Sequence, residues 1–254
     1  MPRDSWLLDR ATIQPGPDFF DSTVGGFAKQ LEASALAATI DDLFDRLEAS
    51  GQLLRLDKNV RPTMYRCATV SVDELEQMRR IDNVVRLGRV QSIGAQEIVL
   101  ENGTIPTSPN TLHIDCAADG LERRPAVSVF DGDRITLQPV RTCQPTFSAA
   151  FIGHVEAGYP NEAEKNELCQ AIPHPNSDID WLRTTLDNAL NTARWNSDPD
   201  LGAWLRGSRL DAYSSVGVGG DLNADHLEVL RKIGEHTPGA ITNLQRLLAG
   251  VDGD

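Results

Sequence analysis

The sequence predicts an α/β fold, on three observations. Short apolar runs of strand character sit in the middle of the chain. Apolar residues at three-to-four spacing occupy the stretches on either side. Glycine, proline and Asn-Gly punctuation separates them. On this reading residues 1–60 are an N-terminal helical segment. Residues 61–158 hold the strands, and residues 159–254 are a C-terminal helical region.

Each element has its own warrant. Residues 1–20 read as irregular, with Pro15 and Pro17, and Trp6, Leu7 and Leu8 need something to cover them. From Val24 to Ser50, Phe27, Leu31, Leu36, Ile40, Leu43, Phe44 and Leu47 form one helical stripe, and Gly51 supplies a C-terminal stop. Arg66–Val70 reads as a short strand. Ser71 caps a helix over Val72–Arg80, with Glu74 at the reciprocal capping position. Val84–Val90 and Ile98–Leu100 read as strands, with Asn102-Gly103 as a tight turn, and Thr111–Cys116 as a third, largely buried strand. Beyond it come helices starting near Asn161 and spanning Ser177–Trp195. Asp225–Glu235 and Gly239–Ala249 read as two more, and Pro199 and Pro238 stand at first helical turns. Trp181, Trp195 and Trp204 are expected in a helical cap packed on the sheet.

Composition narrows the function classes. With 40% hydrophobic residues the chain can bury a core, and its formal net charge of -13 repels nucleic acid and anionic membrane. It has no run of about 18 apolar residues to span a bilayer, and its first residues lack the apolar core of a signal peptide. A soluble cytoplasmic protein is the expectation. Cys67, Cys116, Cys143 and Cys169 form no C-x-x-C pair, so neither a zinc site nor a dithiol motif is indicated. Buried free thiols are expected. His113 and Asp115 share a strand face without a third ligand, so no metal site is expected, and His154 reads as a packing residue.

The chemistry-bearing block is residues 111–158. Leu112–Cys116 ends in Ala117-Ala118-Asp119-Gly120, small residues that let a flat cofactor approach a strand end. Asp131-Gly132-Asp133 supplies a tight turn and a carboxylate able to accept hydroxyl hydrogen bonds. Gln144-Pro145-Thr146 opens an apolar helix whose free N–H groups and positive dipole end face whatever lies beyond Gln144.

Taken in order, these motifs resemble FAD/NAD(P)-dependent oxidoreductases built on two dinucleotide-binding folds. This broad group includes pyridine nucleotide-disulfide oxidoreductases and flavin monooxygenases, and the nearest group comprises bacterial, mainly actinobacterial, members of unassigned substrate. The resemblance rests on Val84–Leu100 with Asn102-Gly103, on Leu112–Gly120 as the strand ending in Ala-Thr-Gly, and on Val129–Asp133 as the later Gly-Asp motif. Ala118 stands for the family threonine, and Asp119 is inserted before the glycine. The resemblance implies an incomplete Rossmann-like FAD/NAD(P)-binding domain. It implies cofactor contacts at Ala118, Gly120, Gly132, Asp133, Gln144, Pro145 and Thr146, and hydride transfer from NAD(P)H through FAD to an unknown substrate. No catalytic residue is assigned. No G-x-G-x-x-G follows a strand, and Gly217-Val-Gly219-Gly220 is the nearest approach. The expected chain is therefore the C-terminal part of such an enzyme, inactive alone and in need of a chain or segment supplying the other half. The alternative is a non-catalytic interaction module.

Overall fold

The computed structural model describes residues 3–14, 16–117, 124–211 and 222–252. It is a mixed α/β protein, 51% helix and 13% strand, and its strands form small separate sheets.

Strand β1 (Ser5–Asp9) pairs in parallel with β2 (Met64–Val70). Parallel neighbours need a long crossover, and helices α1 (Phe20–Leu36) and α2 (Ile40–Ala49) provide it. The expected irregular start is thus a strand, and Trp6 is fully buried in it. The single helix expected over residues 24–50 is two. Thr39 breaks it by adopting an extended backbone and accepting the Asp42 N–H, while Asp42 accepts the Ala38 N–H. Gly51, at φ +75°, closes α2 in the left-handed conformation that glycine reaches without a Cβ penalty.

Helix α3 (Val72–Met78) carries the expected Ser71–Glu74 capping box. The segment after it departs from expectation. Val84–Arg89 is not a strand, because Gly88 turns the backbone to φ +84° and Arg86 is drawn to Asp4. Strands β3 (Val90–Ile93), β4 (Glu97–Leu100) and β5 (Gly103–Pro106) make an antiparallel meander, joined between β4 and β5 by Glu101-Asn102 rather than Asn102-Gly103. Thr111–Cys116 is not a strand and is not buried. Every residue in it is exposed, with Leu112 at 83% and Ile114 at 75%. Nothing among the described residues pairs with its backbone as a sheet. Strands β6 (Phe130–Asp131) and β7 (Arg134–Ile135) form a small hairpin.

Helices α4 (Pro145–Gly158), α5 (Glu162–Leu168), α6 (Asp178–Asn196) and α7 (Pro199–Gly207) follow. Asn161, Ser177 and Asp198 cap α5, α6 and α7 with side-chain oxygens, and Pro199 opens α7 as expected. The two expected terminal helices are one, α8 (Ala224–Asp252), which runs through Pro238. The Thr237 hydroxyl donates to the Ile233 carbonyl, and Ala240, Leu244, Leu247 and Leu248 are buried along the same helix. Asn243 and Arg246 donate to the last carbonyls of the α1 end, at Ser34, Ala37 and Ala38. Packing along α1 outweighs the proline's local preference.

Two cores result. The first joins Trp6, Phe44, Leu47, Leu53, Tyr65, Trp181 and Leu244, so it draws on both ends of the chain. The second surrounds α4, with Phe130, Val140, Phe147, Phe151, Trp195 and Leu201. Trp181, on α6, shares a core with Trp6 of β1 and Tyr65 of β2 and so covers that sheet as well as α2, whereas Trp195 and Trp204 pack on α4 rather than on a sheet. No described helix is long and apolar enough to cross a membrane.

Candidate functional site

The second core positions the head of α4. Segment 139–142 crosses its start. Val140 and Arg141 N–H groups both donate to the Ser148 hydroxyl, which donates in turn to the Gln144 carbonyl. Helix α6 holds the same segment from the other side. Asn191 Nδ2 donates to the Val140 carbonyl, and Asn188 Oδ1 accepts the Thr142 N–H. The Arg141 guanidinium lies 3.6 Å above the Phe147 ring, and its Nη1 is 3.3 Å from Asp211 Oδ1. Pro145 is the first helical residue, and Gln144 makes no side-chain capping bond. The helix therefore begins with half-exposed Gln144 and exposed Pro145 and Thr146. Its dipole end is available to an anion or an electron-rich edge.

The Asp133 hairpin sits elsewhere. The Gly132 N–H donates to Glu162 Oε2, and the Phe130 N–H donates to Asn166 Oδ1, both on α5. Lys165 of α5 bridges to Glu156 near the end of α4. These bonds place the hairpin tip toward the C-terminal end of α4, whereas Gln144–Thr146 stand at its other end. A 14-residue helix is about 20 Å long. Gly132 and Asp133 are thus not brought together with Gln144, Pro145 and Thr146. Ala118 and Gly120 lie outside the described residues, as do Gly217, Gly219 and Gly220.

A flavin's requirements are met in part. The uncapped α4 start suits the electron-poor-seeking, partly negative pyrimidine edge of an isoalloxazine ring. Gly132, at φ +62°, has open space where a Cβ would stand, and the Asp133 carboxylate is exposed. In this arrangement Asp133 lies toward the other end of α4 from Thr146. No described glycine-rich loop opens a helix to take a pyrophosphate.

The cysteines overturn an expectation. Cys67 and Cys143 are not free thiols but a disulfide, with Cα atoms 6.3 Å apart and a separation of 76 positions in sequence. Cys169 is buried, and burial pushes its thiol up to about 12, while Cys116 is exposed and unbonded. Sequence spacing holds no signal for the pair; only the fold brings β2 to the α4 entry. His154 stacks on Trp204, centroids 4.4 Å apart, as a packing residue. His113 Nε2 is 3.0 Å from Thr107 Oγ1 in an exposed position, and no metal-binding cluster occurs among the described residues. An open cleft of about 420 Å³ next to α3 contains none of the predicted cofactor residues. Its Arg79 is committed to the Arg55 and Leu56 carbonyls, and its Arg86 to Asp4 and Asp57.

Fold and site together define a helix-rich α/β protein with small sheets, in which α4 begins at exposed residues without a side-chain cap. No family model matches the chain, and no solved structure matches it. It is similar to the uncharacterized proteins Rv2000 and MT2056 of Mycobacterium tuberculosis and Mb2023 of Mycobacterium bovis. Each is 56% identical over 216 residues, which is 85% of this chain and 40% of the relative. The chain spans about two fifths of the length of these curated relatives.

Proposed function

We propose that this chain is one part of an FAD-dependent oxidoreductase that takes hydride from NAD(P)H and passes it to a small-molecule substrate. The class comes from the resemblance of about residues 60–158, and more loosely 1–60, to such enzymes. The observation that carries the incompleteness is the bare Leu112–Ile114 stretch. Strand-type apolar residues at 83% and 75% exposure are what a sheet strand looks like without its sheet. The relatives' lengths agree, since about 60% of each lies outside the match.

In this reading the head of α4 orients the ring. The N–H groups of its first turn, with Gln144 and Thr146 beside them, would hold the electron-rich edge of the ring, and the helix dipole there would favour negative charge on it. Bound FAD supplies the hydride relay. The pyrophosphate cradle and the sheet receiving Thr111–Asp115 come from a segment or chain beyond the described residues. The site of action is the cytoplasm.

A second reading, an interaction module without catalysis, draws on the same bare stretch. One experiment separates them. The in-frame DNA upstream is read for a strand followed by G-x-G-x-x-G, and the longest encoded polypeptide is purified and reconstituted with FAD. The oxidoreductase reading expects a yellow protein that bleaches with NADH or NADPH, and a colourless preparation of the 254-residue chain alone. A colourless long polypeptide sinks it in favour of the interaction module. A yellow 254-residue chain with stoichiometric FAD sinks the claim of incompleteness.

A further inference from the structure

Among the described non-glycine residues, two have positive φ, and they are the two disulfide partners, Cys67 at +55° and Cys143 at +58°. The left-handed conformation disfavours a residue with a Cβ. In β2 the register slips between Trp6↔Tyr65 and Leu8↔Thr69, and this irregularity throws Cys67 out of the ladder. Cys143 directly precedes Gln144, the N-cap of α4. Both sulfur-bearing residues are half-exposed, unlike buried Cys169.

The flanks of the bond are anchored without it. On one side β2 is held by β1, and Cys67 packs against the first core. On the other, Thr142 is tied to α6 through Asn188 and the Thr184 carbonyl. The bond therefore links two cores that each have their own support, so a folded reduced form is available. Disulfides in reducing compartments are mostly exchangeable ones.

We propose that Cys67–Cys143 is a thiol–disulfide exchange site, opened by a small dithiol or a dithiol protein, that locks and releases the head of α4. The direction of attack follows from the helix. A thiolate at a helix N-terminus is stabilised, and the sulfur with the lower thiol pKa leaves faster. The incoming thiolate attacks Cys67 Sγ, the Cys67–Cys143 bond breaks, and Cys143 departs as thiolate with the electron pair. The second thiol of the dithiol, as thiolate, then attacks its own sulfur in the mixed disulfide and releases Cys67. The dithiol is oxidised to a disulfide, the protein gains two electrons, and two protons end on Cys67 and Cys143 or in solvent according to pH. On reduction both backbones are free to leave positive φ, and the α4 entry loosens from β2. The chemistry is independent of any flavin, so it stands or falls separately from the oxidoreductase reading.

The test uses the whole chain without denaturant. Intact mass and peptide mapping of the air-oxidised protein are expected to show a linked Cys67–Cys143 pair, two hydrogens lighter than the reduced chain. Dithiothreitol is expected to reduce it fully while near- and far-ultraviolet circular dichroism persist. In the reduced protein Cys143 should alkylate at least about a hundredfold faster than Cys169. Brief exposure to 2-mercaptoethanol with an acid quench should leave the mixed disulfide on Cys67. The Cys116→Ser/Cys169→Ser variant, which cannot mispair, should behave as the parent. Two free thiols at 67 and 143 after air oxidation would overturn the proposal, as would a bond that opens only in denaturant or an adduct accumulating on Cys143.

Discussion

Trp6-Leu7-Leu8 and Leu112-His113-Ile114 are both short apolar stretches, and the sequence suggests a strand only at the second. Their fates differ. Trp6 is fully buried, stacked on Phe44 at 5.3 Å, with its backbone paired to β2. Leu112 is 83% exposed and Ile114 75%, and neither belongs to a sheet. Local preference favours the second; what decides is whether the chain presents an opposing edge. The crossover through α1 and α2 delivers β2 to β1, and nothing among the described residues is delivered to 111–116. The ribbon of small strands and loops over 90–117 and 124–138 shows a third case: Val90, Ile93 and Ile135 are exposed although their strands are paired, and Val127 and Leu137 are exposed outside any strand.

The largest expected effects test that contrast. Trp6→Ala and Phe151→Ala empty fully buried ring sites and should each cost about 3–5 kcal/mol in urea unfolding, by lost transfer energy and the cavity left behind. Leu112→Ser and Ile114→Ser should shift stability by no more than about 0.5 kcal/mol and reduce self-association on sizing columns. If Ile114→Ser destabilised the isolated chain as much as Phe151→Ala does, the stretch would be packed in solution, and the comparison would break.

How far the molecule is legible in its sequence follows the same division. The helices are readable because their signals are local: Ser71 with Glu74, Asn161, Ser177, and Asp198 with Pro199 all cap where the residues predict. The α4 entry at Gln144-Pro145 is readable for the same reason. Strands are readable only in part: Arg66–Val70 and Ile98–Leu100 fall within β2 and β4, but a strand is completed by an edge the sequence does not name, and Gly88 with the Arg86–Asp4 pair undid Val84–Arg89. Helix α8 hides its continuity because Pro238 reads as a start, while the long face packed on α1 decides otherwise. The Cys67–Cys143 pair, 76 residues apart, has no local mark at all. Asp133 kept its tight turn but not its neighbours, because α5, through Glu162 and Asn166, fixes where the hairpin lies.

A middle-sized effect sharpens the boundary between the packed body and the bare ribbon. Buried Asn191 donates to both the Val140 and the Gln170 carbonyls, holding the end of the ribbon against α6. Asn191→Leu leaves two carbonyls unpaired and should cost about 1–3 kcal/mol. Hydrogen exchange should rise first at residues 139–142. Equal loss of protection throughout α4 would mean that the ribbon's end is not separately held.

The smallest effect lies wholly on the packed side and has a pH signature. The Tyr159 hydroxyl donates to Asp198 Oδ2 at 2.6 Å, joining the end of α4 to the start of α7. That hydrogen bond, followed by the Leu201 N–H, holds the Asp198 carboxyl below its ordinary range, while burial first and the Asp198 bond second raise the Tyr159 hydroxyl. A carboxyl depressed on folding contributes stability that is fully present above its unfolded pKa, about 3.9, and is lost as pH falls through the lower folded value. Tyr159→Phe removes the leading cause of the depression, so it should cost about 1 kcal/mol near neutrality. Its stability should also decline less steeply below about pH 4 than the parent's. Thermal unfolding of the two proteins across that range measures the difference. Parallel acid limbs would show that the Asp198 carboxyl is held down by its α7 backbone donors alone, leaving the Tyr159 contact as a packing neighbour without electrostatic weight.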